Sequence, residues 1–327
     1  MSDVDKLDAD DVMLQQRVAE LLNGELLAMQ CVEGGRSRQL WTLDLKRDGR
    51  AHPLIMLRET GFSPGYKTRF KMTREAQMLD AIAPTGIPVP KVYYVSPADD
   101  VLIMERLAGR ADFKFNSNAD RVATIEDFIA CLAKLHALDP MKLDLQIKVA
   151  ATQHENSLND LADYEDSYRR LCCQHEIVDR ALDWLKTHVP VTNDPPRMLH
   201  GDAGALNFMH ANNRVTGLID WEMSHVGDPH DDLAWIWFRI AILKYDSDAA
   251  PWFDAYRQQA NFRIEPVRLT YYILVVIFRC TIATLVRQAH DPEHSDARPA
   301  QLREILAKAL SDAQGNRPRR LPPVPLF

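Results

Sequence analysis

The chain runs to 327 residues, 46% of them hydrophobic and 26% charged, with a formal net charge of −7. That is enough chain to bury a large core in one bilobal unit or two domains, and an acidic balance without a concentrated basic face speaks against a nucleic-acid partner. Five scattered cysteines (Cys31, Cys131, Cys172, Cys173 and Cys280) lack the spacing of a metal site and read as reduced thiols of a cytoplasmic protein, and the acidic opening MSDVDKLDADDV has no secretory character.

In chain order, residues 9–23 space Val12, Leu14, Val18, Leu21 and Leu22 along one helical face, with Asp10 or Asp11 as a cap. Strand-like runs follow at 25–33, 38–46 and 53–59. Gly34–Gly35 separates the first two and RDGR (47–50) the next, both hairpin signals. A helix is expected at about 66–83, then two strands within PVPKVYYVS and VLIMERLAG. Beyond residue 110 the periodicity turns helical, at 124–138, 164–175, 177–189 and 265–287. NFMHANNRVTGLID breaks that run as two short strands turning at Asn212–Asn213. The most apolar segment, 269–286, is interrupted by Arg279, so a buried core helix is expected and no membrane partner; Arg279 then needs a carboxylate or a route to solvent. The proline-rich end, GNRPRRLPPVPLF, reads as an extended strap or loose end. The sum is an α+β chain: a small antiparallel β lobe with one helix over 1–104, and a larger, mainly helical lobe over 105–327.

Residues 198–235 crowd six carboxylates (Asp202, Asp220, Glu222, Asp228, Asp231 and Asp232) and the amide Asn207 into one apolar-framed stretch. Like charges in a partly desolvated site repel, so a metal or a set of Arg and Lys side chains belongs there. A solvated acidic loop would not be framed by Met198, Leu199, Phe208, Met209, Val215, Leu218 and Ile219, although Glu222 and Asp231 taken singly also read as surface charges. Asp202 and Asn207 form an Asp-x-x-x-x-Asn spacing, and Asp220 closes the hairpin that follows. Phosphoryl transfer to an alcohol needs these types: a carboxylate to take the hydroxyl proton, and an amide oxygen with a second carboxylate to hold Mg²⁺ on nucleotide phosphates.

The motifs HGDAGALN, LIDWE and GDPHDDLAW resemble those of the aminoglycoside phosphotransferase and choline kinase-like family, relatives of protein kinases, and the DWEMSHVGDP wording is similar to the branch also found fused to acyl-CoA dehydrogenases. The resemblance spans about residues 25–290. It implies a bilobal kinase-like fold using ATP and Mg²⁺, with Asp202 as the catalytic Asp, the base of the reaction, Asn207 and Asp220 as metal ligands, and His200 and Asp232 as structural braces. It makes Gly34, Gly35 and Ser37 candidates for cradling phosphates. It places Arg58 where the family's strand cation falls, with Glu75 as its helix partner, and the nucleotide base against the backbone near Glu105 and Leu107.

The expected function is therefore transfer of phosphate from ATP to a hydroxyl of a small molecule, with no nucleic-acid or membrane partner. Residues 141–200 carry ten acids and seven bases and 271–327 eight bases and five acids, which is no acidic wall for a polycationic aminoglycoside. A hydroxyacyl compound is the favoured acceptor. The alternatives are a nucleotide-binding pseudokinase that acts as a partner-binding module and a metal-dependent hydrolase. His210, His225 and His230 lack the metal spacing the latter needs.

Overall fold

The structure is a computed structural model and describes residues 9–32, 38–59, 72–96, 101–145, 149–171, 174–290 and 297–315. Helix α1 (Ala9–Leu22) precedes strands β1 (Glu25–Val32), β2 (Arg38–Arg47) and β3 (Arg50–Glu59); α2 (Met72–Ile82), β4 (Val92–Ser96) and β5 (Val101–Glu105) complete the small lobe. All pairings in its sheet are antiparallel, in the order β1-β2-β3-β5-β4. Asp48 and Gly49 form the two-residue turn between β2 and β3 with φ of 51° and 71°, the left-handed pair that matches strand twist.

The sheet has two apolar faces. Trp41, Leu43, Leu45, Leu54, Met56, Val101 and Ile103 pack with Val18 and Leu22 of α1. Leu57, Leu102 and Met104 lie on the other side, against Met72 and Ala76 of α2. Cross-strand partners share a face, so the register Gln39↔Arg58, Trp41↔Met56 puts Arg58 on the α1 side and its neighbour Arg38 on the α2 side.

The large lobe contains α3 (Asn118–Ala137), α4 (Gln153–Leu171), α5 (Glu176–Thr187), β6 (Arg197–Leu199), β7 (Phe208–Ala211), β8 (Arg214–Leu218), β9 (His225–Gly227), α6 (His230–Ala241), α7 (Ala250–Gln259), α8 (Pro266–His290) and α9 (Arg298–Ala313). Asn212 and Asn213 turn the β7–β8 hairpin with φ of 50° and 62°. Helix α4 begins at Gln153, well before the expected start at 164, and α6, α7 and α9 were not foreseen. Helix α8 is long and apolar enough to cross a membrane but is largely buried inside the protein. Its Arg279 is paired with Asp160 of α4 and, at 2.7 Å, with Asp231 of α6. Asp231 is thus no surface charge: it is 1% exposed, with the guanidinium offsetting its burial.

Candidate active site

Every acid of the crowded stretch but one has a built-in counterpart. Asp228 accepts from Arg268 (2.6 and 2.9 Å) and pairs with His230 (2.7 Å). Asp231 has Arg279 and lies 3.3 Å from His225 Nε2. Asp232 accepts the backbone N–H groups of His200 (2.9 Å) and Gly201 (2.7 Å) and pairs with His136 (2.9 Å), whose other nitrogen meets the Tyr256 hydroxyl. Burial alone would raise the Asp232 carboxyl, but these bonds outweigh it and hold the group below the ordinary range. Glu222 lies 3.5 Å from Arg38 and stays partly exposed. Asp202 is clamped by Arg239, through Nε to Oδ1 at 3.1 Å and Nη2 to Oδ2 at 2.6 Å, while Arg239 Nη1 donates to Ala205 O.

Asp220 has no hydrogen bond or ion pair among the described residues. Its carboxylate opens to solvent, yet crowding by protein atoms, then the charges of Asp202 and Glu75, push it up to about 7. The same crowding and the Asp220 charge push Glu222 up to about 8. Asn207 stands beside them. Its Nδ2 donates to the Asp202 carbonyl and to Asp202 Oδ2, both at 2.8 Å, which leaves Oδ1 as the free acceptor. Its own carbonyl accepts from the N–H of Ile219 (3.1 Å), tying Asn207 to the end of the hairpin next to Asp220. His200 Nε2 donates to Ile219 O (2.9 Å) across the same gap. Burial holds this imidazole's pKa down, which favours the neutral form.

Backbone strain holds this arrangement. Asp220 sits at φ 65° and Leu206 at φ 78°, conformations that L residues rarely adopt. At Gly201, φ is 83°, and a Cβ would stand 2.0 Å from the Met223 carbonyl oxygen. The loop carrying Asp202 and the segment after Asp220 are therefore in backbone contact.

An open carboxylate and an amide oxygen in a zone of excess negative charge suit a hard divalent cation such as Mg²⁺. No group of three or more His, Cys, Asp or Glu among the described residues could cage a metal alone. An ion there would complete its shell from phosphate oxygens and water.

The model of the phosphotransferase enzyme family, APH, matches residues 57–269. The chain belongs to this family. Acyl-CoA dehydrogenase family member 11 of Rattus norvegicus is 27% identical over 224 residues, which cover 62% of this chain and 28% of that protein; the chain thus spans less than a third of this relative's length. Choline kinase LicA of Streptococcus pneumoniae has the same fold, with a TM-score of 0.68 at 16% identity over 93% of this chain and 100% of that one. So has a thermostable mutant of the aminoglycoside phosphotransferase APH(4)-Ia in ternary complex with AMP-PNP and hygromycin B, with a TM-score of 0.65 at 18% identity over 92% and 99%. The chain thus has the bilobal kinase-like α+β architecture expected of it.

The geometry brings Asp202, Asn207 and Asp220 together, and it corrects one pairing. Glu75, 3% exposed on α2, takes its cation from Arg38 of β2 at 2.6 Å. The expected partner, Arg58, is on the opposite face of the sheet and makes no ion pair among the described residues. Arg74, beside Glu75, donates to Ser224 O (2.8 Å), so α2 is fastened to the segment after Asp220. Between the lobes, the N–H of Glu105 goes to Lys91 O and that of Arg106 to Pro53 O, while the Leu107 N–H has no partner among the described residues. Gly34, Gly35 and Ser37 lie outside the described residues. Reading the sequence missed Arg38 and Arg239, whose partners are 37 positions away in each case.

Proposed function

We propose that this phosphotransferase moves the γ-phosphate of ATP, in a Mg²⁺-dependent reaction, onto a hydroxyl of a small molecule in the cytoplasm. The observation that carries the reading is Asp220, the one acid of the six without a protein partner among the described residues, set beside Asn207 Oδ1, which has none there either. These two oxygens would hold the metal, which supplies neutralisation of the phosphate charge. Asp202, 17% exposed and fixed by Arg239 and Asn207, orients the acceptor hydroxyl. It takes that proton as the new O–P bond forms and the bond to the departing ADP oxygen breaks. Arg38, Gly34, Gly35 and Ser37 face or cradle the phosphates, Glu75 sets the direction of Arg38, and the base meets the backbone from Glu105 to Leu107. Arg58 is left as a charge on the other face of the sheet. The ternary complex of APH(4)-Ia with AMP-PNP and hygromycin B supports a nucleotide together with a small acceptor, and a hydroxyacyl acceptor is proposed by analogy, from the likeness to acyl-CoA dehydrogenase family member 11.

The test is ADP release and product mass with a panel of alcohols, ATP and Mg²⁺. Acceptor-dependent ADP, a phosphate added to one alcohol, and loss of both in Asp202→Asn and Asp220→Ala are expected. Nucleotide binding with no transfer across the panel would instead mean a pseudokinase.

A further inference from the structure

A cavity of about 640 Å³ opens between the segment that leaves the hinge and the turn after α6, lined by Phe113, Phe115, Arg121, Lys244, Tyr245 and Asp246 among others. Two contacts tie it to the reacting groups. Phe113 packs edge-on against Phe208 (6.2 Å between rings), the residue after Asn207. The Tyr245 ring lies 5.8 Å from the guanidinium of Arg239, which clamps Asp202. The lining thus touches the neighbour of Asn207 and the cation that holds Asp202.

The charges of the lining are uneven. Its acid, Asp246, is committed to Arg121 Nε (2.9 Å) and to the indole N–H of Trp252 (2.8 Å). Nearby acids are committed as well: Asp112 to Arg110, and Asp120 to Ser117 and Asn213. Lys244 is exposed at φ 61° and has no ion pair among the described residues. The cavity thus offers three aromatic rings and one uncommitted positive charge, and no uncommitted carboxylate among its described lining residues. A polycation would meet repulsion without compensation, whereas an anion on an apolar body would meet Lys244 and rings together.

We infer that this cavity is the acceptor site and selects an alcohol carrying an anionic group on a flat or elongated apolar body, with Lys244 as the specificity-determining cation. The inference rests on the phosphotransferase reading for its reaction but not for its binding order, and the test separates the two.

The probes are para-hydroxymethyl benzoate, its methyl ester and para-hydroxymethyl benzylamine, one scaffold with negative, neutral and positive charge, with kanamycin as the polycation. Affinity for the full chain is measured by calorimetry with Mg²⁺ and a non-hydrolysable ATP analogue, and phosphorylation by product mass with ATP. The benzoate is expected to bind about fivefold more tightly than the benzylamine, a single partly exposed charge contact. Lys244→Gln should level the series and Lys244→Glu reverse it, with the unfolding midpoint unchanged. Tightest binding of the benzylamine or kanamycin, no binding of any probe, or an order unmoved in both variants would overturn the inference. Benzoate binding in the expected order without phosphorylated product would count against the phosphotransferase reading alone. Phosphorylation of kanamycin while the benzoate stays unbound would do the reverse.

Discussion

Arg38 Nη1 and Glu75 Oε2 are 2.6 Å apart, with both side chains almost wholly removed from solvent. The pair joins β2 to α2, and a second contact of the same guanidinium, 3.5 Å to Glu222, carries the link to the segment after Asp220. Breaking a buried pair by removing one member leaves the other charge stranded. Arg38→Met should therefore lower stability by about 3 kcal/mol and weaken nucleotide binding, and Arg58→Gln should cost less than about 1 kcal/mol. Chemical denaturation of the two variants side by side checks this, and equal losses would mean that Arg58 also carries a structural load.

Asp220 sets a pH dependence. Its folded-state value of about 7 lies above the ordinary carboxylate value of 3.8, so the folded chain holds a proton that the unfolded chain has released. That contribution to stability is complete below about pH 4 and is lost as pH rises toward and past 7. Without metal, wild type should thus lose more stability between pH 5 and 8 than Asp220→Asn does. A cation must displace the same proton, so the thermal shift given by ATP with Mg²⁺ should grow from pH 6 to 8 and level off above. Thermal melts across that range, with and without Mg²⁺, read both effects.

Asp202→Asn keeps the contacts' shape and removes the proton-accepting charge. Turnover should fall by about a hundredfold or more while the ATP–Mg²⁺ thermal shift stays within about 1 °C of wild type. Arg239→Lys keeps the charge but loses the planar fork that holds both Asp202 oxygens, and kcat should drop about tenfold with little change in KM for ATP. Steady-state kinetics separate the two, since a rise in KM for ATP in either would point to metal binding.

Gly201→Ala forces a Cβ to within 2.0 Å of a backbone oxygen at a φ of 83°. The two penalties together should exceed about 2 kcal/mol. Because Gly201 also donates to Asp232, the variant should lose activity before it unfolds. Activity followed alongside the near-ultraviolet circular dichroism melt would show the order.

The antiparallel small lobe was legible because alternation along 38–46 and 53–59, with Asp48–Gly49 between, specifies strands and their turn together. Asn212–Asn213 announced the second hairpin in the same way. The Arg38–Arg58 assignment was not legible: Arg58 shares a face with its partner Gln39, the residue next to Arg38 along β2 and so on the opposite face, and that register is a property of the folded sheet. Helix α6 escaped because every residue from His230 to Ile240 is buried, so no polar stripe marks its period. The trio Asp202, Asn207 and Asp220 could be read from order and spacing. The cations that answer the acids could not be assigned: Arg239 of α6 reaches back to Asp202, and Arg268 and Arg279, both on α8, reach Asp228 and Asp231. Sequence showed only that Arg279 needed a carboxylate or a route to solvent.

Asp231 and Asp232 are consecutive yet serve opposite directions. Asp231 is gripped by Arg279, deep in the lobe, and Asp232 holds the backbone of His200 and Gly201 at the cleft. One peptide link therefore joins the ion pair made by α8 to the bonds that hold the loop of Asp202. Substitutions along α8 that touch no ligand should then surface as altered rate constants, and selection for a faster enzyme would find useful variation on a helix far from any substrate. By the same reasoning, the active-site motifs grafted onto a foreign scaffold would be inert unless α8 travelled with them.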